Sequence, residues 1–293
     1  MADKTEKTKK SPLKRLLIIV FSIVLFFIVV FAFMLTSDAA AHGMARVVPD
    51  YAMDSKGLAT VLDKDRSEWT DDDYQFIYDQ TGLTRAYFDG VTSVNAAFVK
   101  NCQADLFYNA EVGHNSYFSF SSHDYFKGHY AHMVDLRLGD VIISSSVHTM
   151  GWRNGHASIV VSGGNSSSAR IAEAVCVGTD SCISNTSWFR QATNFIVLRP
   201  KLSAEEAAEI ARWAAENMVG VHYSLVTGIF NAKDQSDNVQ TTQCAHLVWQ
   251  AYMAFGYDID STGGPVVTPK NIANCDLFEV IQVNGFDLEK LWS

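Results

Sequence analysis

The sequence predicts an α+β fold, an antiparallel sheet packed on helices, preceded by an N-terminal transmembrane helix and a small helical region. Three observations lead there. An uncharged apolar run extends from Leu16 to Leu35. Short glycine-bounded apolar runs gather between Gly139 and Arg199. Capped amphipathic segments follow those runs, and strands followed by helices are the order of an α+β domain.

Residues 1–15 are a basic tail carrying Lys4, Lys7, Lys9, Lys10, Lys14 and Arg15. Residues 16–35 are long enough to cross a bilayer at ~20 residues. A cleavable signal has a shorter apolar core, roughly 7–15 residues, so an uncleaved signal-anchor is expected. Ala39-Ala40-Ala41 keeps the alternative open, cleavage after Ala41 and secretion. No Cys follows the run, which argues against a lipoprotein. The basic flank stays in the cytoplasm, so the rest of the chain is expected to be extracytoplasmic, on a single-pass cell-membrane protein.

Residues 36–67 read as a polar tether, and 68–137 as a helical prelude ending in an aromatic loop. Thr70 and Asp73 resemble a capping box, the acidic first turn suits a helix N-terminus, and Gly82 reads as the stop. One or two further short helices fit before Ala110. The segment from Gly113 to His132 is rich in Ser, aromatic residues and His. Its His114, His123, His129 and His132 match no standard zinc spacing: no Cys pair is near, and no His-Glu-x-x-His occurs. It reads as a surface loop or as a cleft wall or lid, and no metal or other cofactor is expected.

Strand signals begin at residue 138. Gly139-Asp140 introduces Val141-Ile142-Ile143, and Gly155 introduces His156-Ala157-Ser158-Ile159-Val160. Residues 169–176 and 194–199 are two more, the last ended by Pro200. Ser203 with Glu206 caps a helix striped by Ala207, Ile210, Ala211 and Ala214, ending by Gly220. A second helix starts near Cys244 and stops at Gly256, Pro269 opens a short third, and Leu277–Ile281 reads as a closing strand. Residues 138–285 form the main domain and 286–293 a C-terminal tail.

A net charge of −9 without basic stripes excludes nucleic acid as a natural partner. The five cysteines are Cys102, Cys176, Cys182, Cys244 and Cys275. In an exported chain an odd number leaves one over when the others pair. Cys176 and Cys182 flank a turn-like Gly178-Thr179-Asp180-Ser181, so a local bridge is expected; Cys102 with Cys275 would then be the second, but four cysteines allow three connectivities and the sequence does not choose among them, nor does it exclude five unpaired thiols.

Cys244 remains. A thiol attacks carbonyls as a thiolate, and a helix start with a nearby imidazolium favours that form. Thr241 or Thr242 is the expected cap, and Cys244 lies on the line of Val248 and Ala251, so its sulfur faces the sheet. His156 is the candidate base. Glu173, a carboxylate inside the apolar run Ile171–Val175, is the candidate that orients the imidazole.

Taken together, Gly139-Asp140-Val141-Ile142, Gly155-His156-Ala157-Ser158-Ile159-Val160, Ile171-Ala172-Glu173-Ala174 and Cys244-Ala245-His246-Leu247-Val248 with Tyr252 resemble the permuted NlpC/P60 papain-like hydrolases of the YiiX type. The resemblance spans residues 138 to 282. It implies a papain-like catalytic domain in which the His strand precedes the Cys helix, with Cys244 as nucleophile, His156 as base and Glu173 as orienting residue. It further implies that Tyr223 lines the cleft and that Leu198-Arg199-Pro200 is a structural strand end. The family often carries Cys-Ser-Glu-Leu-Val where this chain has Ala245 and His246. His246, about 200° around the helix from Cys244, is excluded as the triad imidazole. The expected function is a membrane-anchored cysteine amidase or peptidase acting through a thioester on cell-wall peptides or small peptidyl amides. Two alternatives stand beside it, a thiol acyl hydrolase or acyltransferase on lipids, and a non-catalytic ligand-binding module of the same fold.

Overall fold

The computed structural model describes residues 12–44, 46–116 and 121–287. Lys4, Lys7, Lys9 and Lys10 of the basic tail, residues 117–120 of the aromatic segment and the tail from 288 lie outside them.

Helix α1, Pro12–Ala41, contains the apolar run, and its most apolar window has a mean hydropathy of 3.4 and no buried residue. Among the described residues it is the one helix long and apolar enough to cross a membrane, a property shared by anchors and signal sequences. It continues past Leu35 into the predicted tether. Asp38, in its last turn, accepts a hydrogen bond from Ser122 at 2.6 Å. The Arg153 guanidinium donates to the Ala41 carbonyl. Beyond the helix, Arg46 is half-buried among carbonyls, donating to those of Thr193 at 2.8 Å and Asp105 at 2.7 Å. Helix α2, Ser55–Leu62, capped by Asp54, and a 3₁₀ turn at Arg66–Glu68 complete the segment. The predicted tether is therefore largely docked on the body. Its eight-residue helix is too short, and too interrupted by Gly57, to show a period in the sequence.

Helix α3, Asp71–Thr81, has the expected reciprocal Thr70–Asp73 capping box. Gly82 ends it at φ +69°, and a Cβ there would stand 1.8 Å from the Val283 carbonyl oxygen, so both conformation and space demand glycine. Helices α4, Arg85–Asp89, and α5, Ala96–Leu106, follow. The aromatic segment is a hairpin of β1, Val112–Ser116, and β2, Ser121–Phe126.

The remaining elements, in chain order, are β3 Val141–Ser144, β4 Val147–Thr149, β5 His156–Ser162, β6 Arg170–Glu173, β7 Cys182–Ser184, α6 Ser187–Gln191, β8 Phe195–Pro200, α7 Ala204–Asn217, β9 His222–Tyr223, β10 Thr241–Thr242, α8 Cys244–Met253, α9 Pro269–Ala273 and β11 Phe278–Asn284. Strands β11-β8-β3-β5-β6-β7 make a six-stranded antiparallel sheet. β4 joins the hairpin as β1-β2-β4. The α+β class with an antiparallel sheet is as predicted.

The main sheet is covered on both faces. Val141, Ile143, Ala157 and Ile159 pack with α7, α8 and α9 residues such as Ile210, Leu247 and Ile272. Ile142, Val160 and Ile171 pack with Leu58, Ile77, Phe88 and Val99 of α2 to α5. Alternation along the strands sends neighbours to opposite cores. Asp140, fully buried, takes Arg199 Nε at 3.0 Å and Nη2 at 2.8 Å, tying the start of β3 to the end of β8. The Tyr252 hydroxyl donates to the Gly139 carbonyl at 2.6 Å, fixing α8 to the same corner.

The disulfide expectations fail, because all five cysteines are free thiols. Cys102 packs in the α2–α5 core, whereas Cys275 sits against the α7–α9 core, so the sheet separates them. Cys182 stands opposite Glu173 in the β6–β7 ladder, and the Cys176 sulfur faces the Thr179 hydroxyl instead.

Candidate active site

β5 opens at His156 because Gly155, at φ +71°, turns the chain into the sheet. β6 pairs with β5, and Glu173, its last residue, lies beside the start of β5. Glu173 Oε2 stands 2.7 Å from His156 Nε2. The other carboxylate oxygen accepts the Ser184 hydroxyl from β7. Glu173 is buried, and both its oxygens are satisfied.

Cys244 is the first residue of α8 and is buried. The cap is Gln243, not Thr241 or Thr242: its side-chain oxygen accepts from the Ala245 N–H at 2.9 Å. Thr242 instead bonds the His246 ring at 3.0 Å. The Gln243 amide donates to the Val267 carbonyl at 2.7 Å, which locks the cap against the loop before α9. The Cys244 sulfur lies 3.5 Å from the Gln243 side-chain oxygen and shares a pocket with the His156 ring. With Nε2 taken by Glu173, Nδ1 is the nitrogen left for the thiol.

His156, Glu173, Cys244 and Tyr223 line one small pocket, together with Ser121, Val147 and Trp188. The structure thus brings all four sequence-derived site residues together. Burial opposes a charge on His156, but its hydrogen bonds and charge contacts with Cys244 and Glu173 outweigh this and hold the imidazolium up to about 10. Burial would raise Glu173, yet His156 and Ser184 keep it below the usual carboxylate range. Burial, then the neighbouring sulfurs of Cys244 and Cys176, pushes the Tyr223 phenol upward, so it remains an O–H donor.

His246 faces elsewhere. Its Nε2 is 2.7 Å from the Lys233 carbonyl, and burial lowers it to about 4. The histidines of the aromatic segment divide. His123 packs face to face on Trp188 at 4.3 Å, lowered by burial to about 3. His129 and His132 turn to Asp105. His114 joins a separate cluster near the end of α1. Part of that segment does form a cleft wall, since Ser121 of β2 lines the pocket.

Several site residues were not legible in the sequence. The His156 ring stacks on Phe189 at 5.4 Å and meets the edge of Trp188 at 5.0 Å, fixing its plane. Both aromatics sit on a five-residue helix that has no readable period. Ser184, which steadies Glu173, carries no sequence signal at all.

Chemically, the pocket offers a thiol at a helix N-terminus, an imidazole oriented by a buried carboxylate, and a protonated phenol. No family model, curated protein or solved structure matches the chain.

Proposed function

We propose that this chain is a cysteine hydrolase, an amidase or peptidase held outside the cytoplasm by its N-terminal helix and working through a thioester at Cys244. The observation that carries the reading is the Cys244–His156–Glu173 constellation in one pocket, assembled from a helix start and two paired strands. Its chain order, His strand before Cys helix, accords with a permuted papain-like domain.

In this reading the sulfur attacks the substrate carbonyl as a thiolate while His156 holds the proton. The negative charge moves to the carbonyl oxygen. The Cys244 N–H at the start of α8 and the Tyr223 hydroxyl are the donors on hand to stabilise it. His156 then protonates the departing amine, the C–N bond breaks and a thioester remains. Water, deprotonated by His156, attacks the thioester carbonyl. The C–S bond breaks, the acid leaves, and the proton returns to the sulfur–imidazole pair. Glu173 stays ionised throughout and keeps the ring turned toward the sulfur. From the resemblance, cell-wall peptides or small peptidyl amides are the substrate class.

A lipid acyl substrate is the second reading. It is favoured by the contact of the end of α1 with β4, whose Val147 lines the same pocket. The test offers peptidoglycan fragments and acyl esters to the detergent-solubilised chain and identifies the products. Release of a peptide or amine supports the amidase, and release of a fatty acid supports the lipid reading. If Cys244→Ala leaves thiol-probe labelling and turnover unchanged, the pocket is a non-catalytic binding module.

A further inference from the structure

We propose that His42, His114, Asp124 and His148 bind one divalent transition-metal ion of the zinc class, fastening the end of α1 to the β1-β2-β4 sheet. The four residues come from the turn after α1, from β1, from β2 and from β4. One ligand atom from each lies within 4.8 Å of all the others. This site is separate from the Cys244 pocket and does not depend on the reading given to that pocket.

Asp124 Oδ1 is the hub. His42 Nδ1 stands 2.5 Å from it, His148 Nε2 3.4 Å and His114 Nδ1 3.8 Å. A carboxylate oxygen has two lone pairs, so three converging imidazoles exceed what hydrogen bonding to Oδ1 can use. A cation among them lets each nitrogen direct a lone pair inward. Tetrahedral zinc, with bonds of about 2.0–2.1 Å to nitrogen and oxygen, places its ligands roughly 3.3 Å apart. Small side-chain rotations reach that spacing. Three imidazoles and one carboxylate form a nitrogen-rich donor set that suits zinc better than magnesium or calcium.

The surroundings hold the donors in the required orientation. His148 Nδ1 is 2.7 Å from Asp38 Oδ1, which leaves Nε2 for the ion, the usual carboxylate–histidine–metal relay. The second oxygen of Asp124 accepts the Gly43 N–H at 2.9 Å and Arg153 at 3.1 Å, which leaves Oδ1 facing the cluster. Asp124 and His148 are buried. Four protein ligands close the coordination sphere, as in structural rather than catalytic zinc sites. Val147, adjacent to His148, lines the thiol pocket, so the ion would also stiffen that wall. The site escaped the sequence because its ligands stand at positions 42, 114, 124 and 148, far outside any local motif.

The experiment uses the full chain in detergent micelles, in a Cys244→Ala background so that the pocket thiol cannot take metal. After zinc loading and gel filtration, metal is counted by mass spectrometry, and cobalt is substituted for spectroscopy. One zinc per chain and a tetrahedral cobalt spectrum without thiolate charge-transfer bands are expected. The partly exposed pair His42→Ala/His114→Ala should lose that zinc while keeping its circular dichroism. Asp38→Asn, which leaves all four ligands in place, should bind zinc about 10–100-fold more weakly. A parent that retains no zinc is a hydrogen-bonded histidine–carboxylate cluster only, and overturns the proposal. So does a double variant that keeps the parent's zinc, or a cobalt spectrum showing sulfur ligands.

Discussion

His156 is pulled two ways. Its ring is buried against Phe189, which favours the neutral form, yet contacts with Cys244 and Glu173 hold the proton up to about 10. A group whose folded-state pKa lies above its ordinary 6.5 adds stability that is complete below that value and fades as pH rises through about 10. Glu173, held below its ordinary 4.5, adds stability that is complete above that value and is lost in acid. The two contributions overlap fully between pH 4.5 and 6.5. Thermal unfolding followed against pH should therefore show a midpoint that falls from pH 6.5 toward 10, and a His156→Gln variant should lose that slope. Parallel curves for the two proteins would dismiss the charged imidazole. Glu173→Gln keeps the side-chain shape but removes the charge, and should lower kcat about 10²–10⁴-fold on any substrate the chain turns over. An unchanged kcat would remove Glu173 from the reaction. These three residues were legible because each breaks its local pattern: an imidazole at a glycine-led strand start, a carboxylate in an apolar run and a thiol at a helix start. Gln243 and Ser184 break no pattern. A polar residue beside a loop is what any surface would show, so the cap and the carboxylate's second partner emerge only in three dimensions.

Among the elements, the capped helices were readable to within a few residues, since Thr70–Asp73 and Ser203–Glu206 each satisfy two N–H groups by a fixed spacing. β7, β9 and β10 were not, because strands of two or three residues have no period to detect. The extension of α1 through Ala41 was hidden for a different reason. Once a long helix exists, each added residue gains a hydrogen bond at little further cost, so small and polar residues after Leu35 continue it although their composition resembles a linker. The join between β3 and β8 rests on a buried ion pair with its own liability. Arg199→Leu strands the Asp140 carboxylate among apolar strands, and a loss of about 3–5 kcal/mol in denaturant unfolding is expected. The double change Asp140→Leu with Arg199→Leu should recover much of it. If Arg199→Leu unfolds at the parental midpoint, the pair is not structural. On α7, Ser203→Ala removes one half of a reciprocal cap and should cost about 1 kcal/mol in the same assay.

In the whole molecule, one antiparallel sheet divides two cores, and the pocket opens where β5 begins beneath the start of α8. The α+β class was readable from element order. The docking of residues 38–46 was not, because it depends on partners such as Ser122, Arg153 and Thr193 that lie up to about 150 positions away along the chain. The long apolar helix predicts that the chain stays with membranes through alkaline carbonate washing and that deleting residues 16–35 releases it. Extraction of the intact chain by carbonate would exclude an integral anchor. The docking of Asp38 and Ala41 onto the small sheet changes what such an anchor does. A slack leash would let the pocket sweep a wide shell of space. A helix fused to its cargo works like a mast instead, setting one height and one tilt. Under the proposed function, with the helix as anchor, only substrates that come to that altitude would be served. Splicing a dozen Gly/Ser residues after Ala41 would add ~20 Å of slack, trading selection by distance for range.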